Sequence, residues 1–132
     1  GDNIETYFSS SKKGTMRGLH YQEGKYAQDK FIICLQGEIE DVATDLREDS
    51  ATYGKTFRVS LKPDSFGVIV PKGFAHGIFS KEDSLVTNFC SNSYYPKAEK
   101  GISWFSIESL KDLKVSIVSD KDKNLPRLDQ IL

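Results

Sequence analysis

Two short segments hold both histidines of the chain, Arg17-Gly18-Leu19-His20-Tyr21-Gln22 and Pro71-Lys72-Gly73-Phe74-Ala75-His76-Gly77. Chemistry near neutral pH that needs an imidazole must use one of them, because no other side chain changes charge there at its ordinary pKa. Both segments read as extended chain beside glycine turns, an arrangement that fixes a side chain while its polar tip faces a cavity. The same residues limit metal chemistry. A metal-binding β-barrel draws on about three histidines and a carboxylate, whereas here Gln22 rather than another histidine follows His20. No bound metal is expected. No Gly-x-Gly-x-x-Gly or Walker-type glycine loop occurs, so neither a dinucleotide fold nor a P-loop is indicated. What remains is metal-free acid/base chemistry or simple binding.

The elements that must position these residues follow a period of two. Phe31 to Leu35 is a continuous apolar run ending at Gln36-Gly37, and the next stretch alternates Ile39, Asp41 and Ala43 against Glu40, Val42 and Thr44. The pattern predicts a hairpin. Further strands are predicted at 57–61, 66–70, 75–79 and 85–90, separated by turn residues at Tyr53-Gly54, Lys62-Pro63-Asp64-Ser65, Pro71-Lys72-Gly73 and Lys81-Glu82-Asp83. Short strands at this spacing imply an all-β sandwich or barrel. One helical turn is expected near 106–111, and 116–132 reads as a charged, solvated tail.

With 132 residues, 38% of them hydrophobic, the chain is expected to form one domain over 1–132. Its formal net charge of -1 comes from interspersed signs, so no basic field exists for nucleic acid or an anionic membrane. No apolar run approaches the roughly 18 residues of a spanning helix. Cys34 and Cys90 lie far apart in apolar stretches and read as reduced core residues. These features point to a cytoplasmic protein.

Six motifs occur together and in order: the segment from Lys13 to Gln22, Ala27-Gln28-Asp29-Lys30, the segment from Gln36 to Arg47, Pro71 to Gly77, Tyr94 to Trp104, and Ser119-Asp120-Lys121-Asp122. In this the chain resembles the dTDP-4-dehydrorhamnose 3,5-epimerase family from about Ser9 to Pro126. The resemblance implies a cupin-type jelly roll, a homodimer, and action without cofactor on a nucleoside-diphosphate 4-keto-6-deoxyhexose, most readily a dTDP-linked one. Such epimerases invert C3, C5 or both through an enolate, in deoxysugar or surface-polysaccharide biosynthesis. A C–H bond beside a ketone is a very weak acid, so the reaction needs a placed base, a group that stabilises the enolate oxygen, and a proton donor on the other face.

By match to the family motifs, His20 would be the base and Asp122 would orient its imidazole. Lys30 would stand by the sugar O4, and Tyr94 would be the acid, although Ser93-Tyr94-Tyr95-Pro96 permits Tyr95 in its place. Arg17 and Lys121 would contact diphosphate or sugar, and Gln22 would be a polar contact. His76 would assist at O4 or be a satisfied structural residue. The start departs from the family: no Asp-x-Arg-Gly motif opens the chain, Glu5 stands at a usual glutamine and Tyr7 at a usual asparagine. The expectation is either a shortened start or a short branch with altered carrier recognition. Two alternatives stay open, a 3,4-ketoisomerase of the same sugars and a non-catalytic sugar-nucleotide-binding module.

Overall fold

The computed structural model describes residues 4–132. Residues 1–3, and the expectation about how the chain opens, lie outside them. The described strands are β1 (Glu5–Ser11), β2 (Met16–Gln22), β3 (Lys30–Gln36), β4 (Ile39–Asp45), β5 (Thr56–Leu61), β6 (Val68–Val70), β7 (Phe74–Ser80), β8 (Ser84–Cys90) and β9 (Glu99–Gly101). They form two antiparallel sheets, ordered β1-β8-β3-β6 and β5-β4-β7-β2-β9, in a cupin-type jelly roll.

Alternation sorts the side chains. Ile32, Cys34 and Val86 of the four-stranded sheet pack against Ile39 and Leu61 of the five-stranded sheet, which closes one end of the space between them. The five-stranded sheet is apolar on its other face too, through Met16, Leu19, Val42, Ala75 and Phe79. That face is covered by Ile102, Ile107, Leu110 and Leu113, so β4 is buried along its whole length. Burying such side chains contributes about 1.5–3 kcal/mol each, which makes this second layer a substantial part of the stability.

Three expectations change. The apolar run and the alternating run do not form a hairpin: β3 pairs with β8 and β6, while β4 pairs with β7 and β5. Gly37, at φ 77°, carries the chain across from one sheet to the other, and a Cβ there would meet the Asp83 carbonyl oxygen at 2.2 Å. Nor is 116–132 a solvated tail. Met16 N–H donates to the Ile117 carbonyl at 3.0 Å, and Leu128 and Ile131, from the short helix α2 (Leu128–Ile131), pack on the core beyond α1 (Asp120–Lys123). The expected helical turn is present as two 3₁₀ turns, Trp104–Ser106 and Glu108–Leu110. Among the described residues no helix is long and apolar enough to cross a membrane.

One face stays bare. The outward positions of the four-stranded sheet carry Phe8, Phe31, Leu35, Ile69 and Phe89, with Phe8 67% and Ile69 68% exposed.

Candidate active site

The site begins with an irregularity in β2. Its register against β7 shifts between Arg17 and His20, where Gly18 sits at φ 103°. A Cβ at Gly18 would lie 2.6 Å from the His76 carbonyl oxygen, so only glycine permits this approach. The shift sends Leu19 into the outer core, fully buried, and turns Arg17 and His20 toward the space between the sheets. His20 and His76 are register partners across β2 and β7, which explains how the chain's two imidazoles come to line one cavity.

Each imidazole is held by a buried carboxylate. His20 Nε2 is 2.6 Å from Asp122 Oδ1, and the other oxygen of Asp122 accepts the Gly18 N–H at 3.0 Å. The helical turn α1 presents Asp122 because Ser119 caps it, its Oγ accepting the Asp122 N–H at 3.1 Å. Burial pushes the Asp122 carboxyl up, but the hydrogen bonds from His20 and Gly18 outweigh it and hold the group below its ordinary pKa. An ionised Asp122 accepts from Nε2–H, which leaves the lone pair on His20 Nδ1. His76 Nε2 lies 2.5 Å from Asp41 Oδ1, a residue on the inward face of β4.

The cavity has a volume of about 330 Å³ and is lined by Arg17, His20, His76, Lys121 and Asp122, with Lys30, Tyr7, Ser9 and Asn88 of the four-stranded sheet on its opposite wall. A second chamber of about 330 Å³ shares Tyr7, His20 and Lys30 with it and adds Glu5, Gln28, Tyr94 and Glu99. Lys30 opens β3, and burial lowers the pKa of its ammonium. Arg17 donates from Nε to Ser11 Oγ at 2.7 Å and from Nη2 to the Ser10 carbonyl at 3.1 Å. Lys121 pairs with Glu99, which raises its pKa. Tyr94 is on the chamber wall, 49% exposed, with its backbone N–H toward the Glu5 carboxylate at 3.3 Å. Tyr95 instead stacks on Tyr26, ring centroids 4.1 Å apart.

Gln22 is placed differently from the sequence expectation. Its side chain is buried, donating to the carbonyls of Tyr26 at 2.7 Å and Ser93 at 3.2 Å and accepting the Tyr95 N–H at 2.8 Å. Its amide is spent on the loop that carries Tyr94 and lines neither chamber, so its contribution is to hold that loop. Conversely, sequence reasoning missed Tyr7 as a cavity group and Asp41 as the buried partner of His76. A signal for Asp41 was available, since a carboxylate between Ile39 and Ala43 on the inward face of a strand demands a partner. Among the described residues no group of three or more His, Cys, Asp or Glu side chains gathers to hold a metal ion.

This arrangement can take a proton from carbon beside a carbonyl and stabilise the resulting oxyanion. A family model for dTDP-4-dehydrorhamnose 3,5-epimerase matches residues 2–130. The chain belongs to this epimerase family. It is 37% identical over 134 residues to the dTDP-4-dehydrorhamnose 3,5-epimerase of Escherichia coli (strain K12), covering 98% of this chain and 72% of the relative. The crystal structure of the epimerase from Sulfolobus tokodaii superimposes with a TM-score of 0.87 at 40% identity, over 97% of this chain and 73% of that one. The dTDP-6-deoxy-D-glucose-3,5-epimerase of Legionella pneumophila, solved in complex with dTDP-4-keto-L-rhamnose, gives 0.87 at 32% identity over 99% and 74%. As a member of the epimerase family the chain is an isomerase.

Proposed function

We propose that this chain inverts C3, C5 or both of a dTDP-linked 4-keto-6-deoxyhexose by deprotonation and reprotonation through an enolate, in deoxysugar biosynthesis. The observation that carries the reading is the His20–Asp122 pair standing in one cavity with the half-buried Lys30. His20 Nδ1 takes the proton from carbon, and Asp122 supports the imidazolium. Electrons move onto O4, where the Lys30 ammonium stabilises the enolate. Tyr94 returns a proton to the opposite face from the second chamber. His76, fixed by Asp41, holds a hydrogen-bonding nitrogen beside the sugar. Arg17 and Lys121 exchange their partners in the chain for the diphosphate, Arg17 with the planar fork suited to it. The bound dTDP-keto-sugar of the Legionella relative supports the choice of carrier.

The test is incubation with dTDP-4-keto-6-deoxyglucose in D2O, followed by NMR. Solvent deuterium entering at C3 or C5 with inversion is expected. Binding without exchange overturns the reading in favour of a binding module, and a 3-keto product would make the chain a 3,4-ketoisomerase.

The homodimer also belongs to this reading, and its support is the bare outer face of the four-stranded sheet. Phe31 faces Phe89 and Ile69 in register, forming a contiguous apolar surface of the kind that a second copy covers. Light scattering at tens of micromolar is expected to give a dimer, and Ile69→Lys a monomer; a monomeric parent protein would refute it. A cytoplasmic location fits the buried, unpaired Cys34 and Cys90.

A further inference from the structure

β1 brings to the cavity a side chain to which the roles above give no task. Along this strand Phe8 faces outward while Tyr7 reaches the thiol of Cys90, a residue only 1% exposed. A hydroxyl against a buried interior sulfur points between the sheets. Cys90 is the register partner of Lys30, so the Tyr7 phenol and the Lys30 ammonium belong to one wall of the cavity. His20 stands on the facing sheet, and among the described residues these three alone line both chambers.

A 4-keto sugar has two acidic carbons, one on each side of the ketone. Each inversion requires a proton taken from one face and another returned to the opposite face. Tyr94 approaches from a loop at 49% exposure, whereas Tyr7, at 42%, is fixed on a strand of the four-stranded sheet. Phenols that come from different elements stand at different points around one bound sugar.

Resting on the epimerase reading of this cavity, we propose that Tyr7 is a second proton donor, serving one carbon beside the ketone on the face opposite His20 while Tyr94 serves the other. In that step the Tyr7 O–H bond breaks, the electron pair of the enolate C=C forms the new C–H bond, and O4 returns to a carbonyl. Water then reprotonates the phenolate, and the His20 imidazolium gives its proton to water. Burial and the neighbouring Cys90 raise the phenol's pKa well above its ordinary value, so the donor stays loaded throughout the neutral range. The enolate carbon is still the stronger base.

The experiment compares the parent protein with Tyr7→Phe, Tyr94→Phe and the double variant, using dTDP-4-keto-6-deoxyglucose in D2O and reading exchange and inversion separately at C3 and C5. Tyr7→Phe is expected to slow inversion at one carbon by about 10²-fold, in the range for a lost general acid, with the other carbon close to the parent rate. Tyr94→Phe should show the reverse preference, and the double variant should invert neither carbon while His20 still exchanges protons. Tyr7→His, which restores a donor, should recover part of the lost inversion; thermal unfolding and dTDP binding check that each variant is folded. Equal slowing at both carbons, no slowing at either, or no difference between the His and Phe variants overturns the donor role. A parent protein that exchanges at neither carbon refutes the epimerase reading itself, whereas normal exchange with an unaffected Tyr7→Phe refutes only the proposal.

Discussion

Both imidazoles of the cavity have Nε2 on a buried carboxylate, His20 on Asp122 at 2.6 Å and His76 on Asp41 at 2.5 Å, yet the settings differ. The His20 side chain is 26% exposed, and its carboxylate arrives from a helical turn far along the chain and also binds the Gly18 N–H. His76 and Asp41 are 6% and 2% exposed and sit on neighbouring strands of one sheet. A general base must exchange its proton with substrate and then with solvent; a sealed imidazole can only hold an orientation. On the proposed reading the two pairs serve as a working base and a fixed wall, and access to water separates them.

The comparison can be broken first at His20. His20→Ala should lower exchange at every sugar carbon by about 10³-fold while dTDP binding persists, since loss of a general base falls within 10²–10⁴. Near-normal exchange in that variant would reverse the assignment and make His76 the base. Asp122→Asn should cost about 10²-fold in kcat with KM nearly constant, because an amide no longer fixes the tautomer that leaves Nδ1 basic. Asp41→Asn should act mainly on stability: an imperfectly matched buried partner costs about 1–3 kcal/mol, visible as a lower Tm, with a fall in kcat of less than about tenfold. A larger loss of activity than at Asp122 would put the working base on the sealed side. The smallest effect concerns acid stability. Asp122 titrates below its ordinary value when folded, so its ionised form stabilises the fold above about pH 4, and this contribution fades as pH falls through the folded pKa. Asp122→Asn should therefore show a shallower decline of Tm below pH 4 than the parent protein, while Asp45, held low by Arg47, keeps part of that decline in both.

His20 and His76 stood out in the sequence because they lie in glycine-punctuated segments whose geometry is local, whereas Lys30 was singled out only through the Ala27-Gln28-x-Lys30 resemblance. Asp122 was singled out only through the Ser119-x-Lys121-Asp122 resemblance; its segment looks solvated by composition, and what buries it is the docking of α1 against β2, distant in sequence. The hairpin expected around Gly37 failed for a related reason. A glycine after an apolar run marks a reversal of the chain but does not say whether the next strand pairs with the last or crosses to the facing sheet. Gln22 was misplaced because a polar residue next to a catalytic strand has the same local pattern whether it meets substrate or a neighbouring loop. Strand period places a side chain on a face, and only the assembled sheets decide what it finds there.

The Gly18–Asp122 hydrogen bond spans 104 residues, and its consequence is temporal. A chain emerging from the ribosome can lay down β1 through β9 and gather most of its outer core before α1 exists, but the imidazole at position 20 lacks its anion until α1 has been delivered and docked. Contacts of such long sequence separation close late. The His20–Asp122 pair therefore forms late in folding, and a chain cut before Ser119 would keep the strands of both sheets yet lose the carboxylate that holds His20.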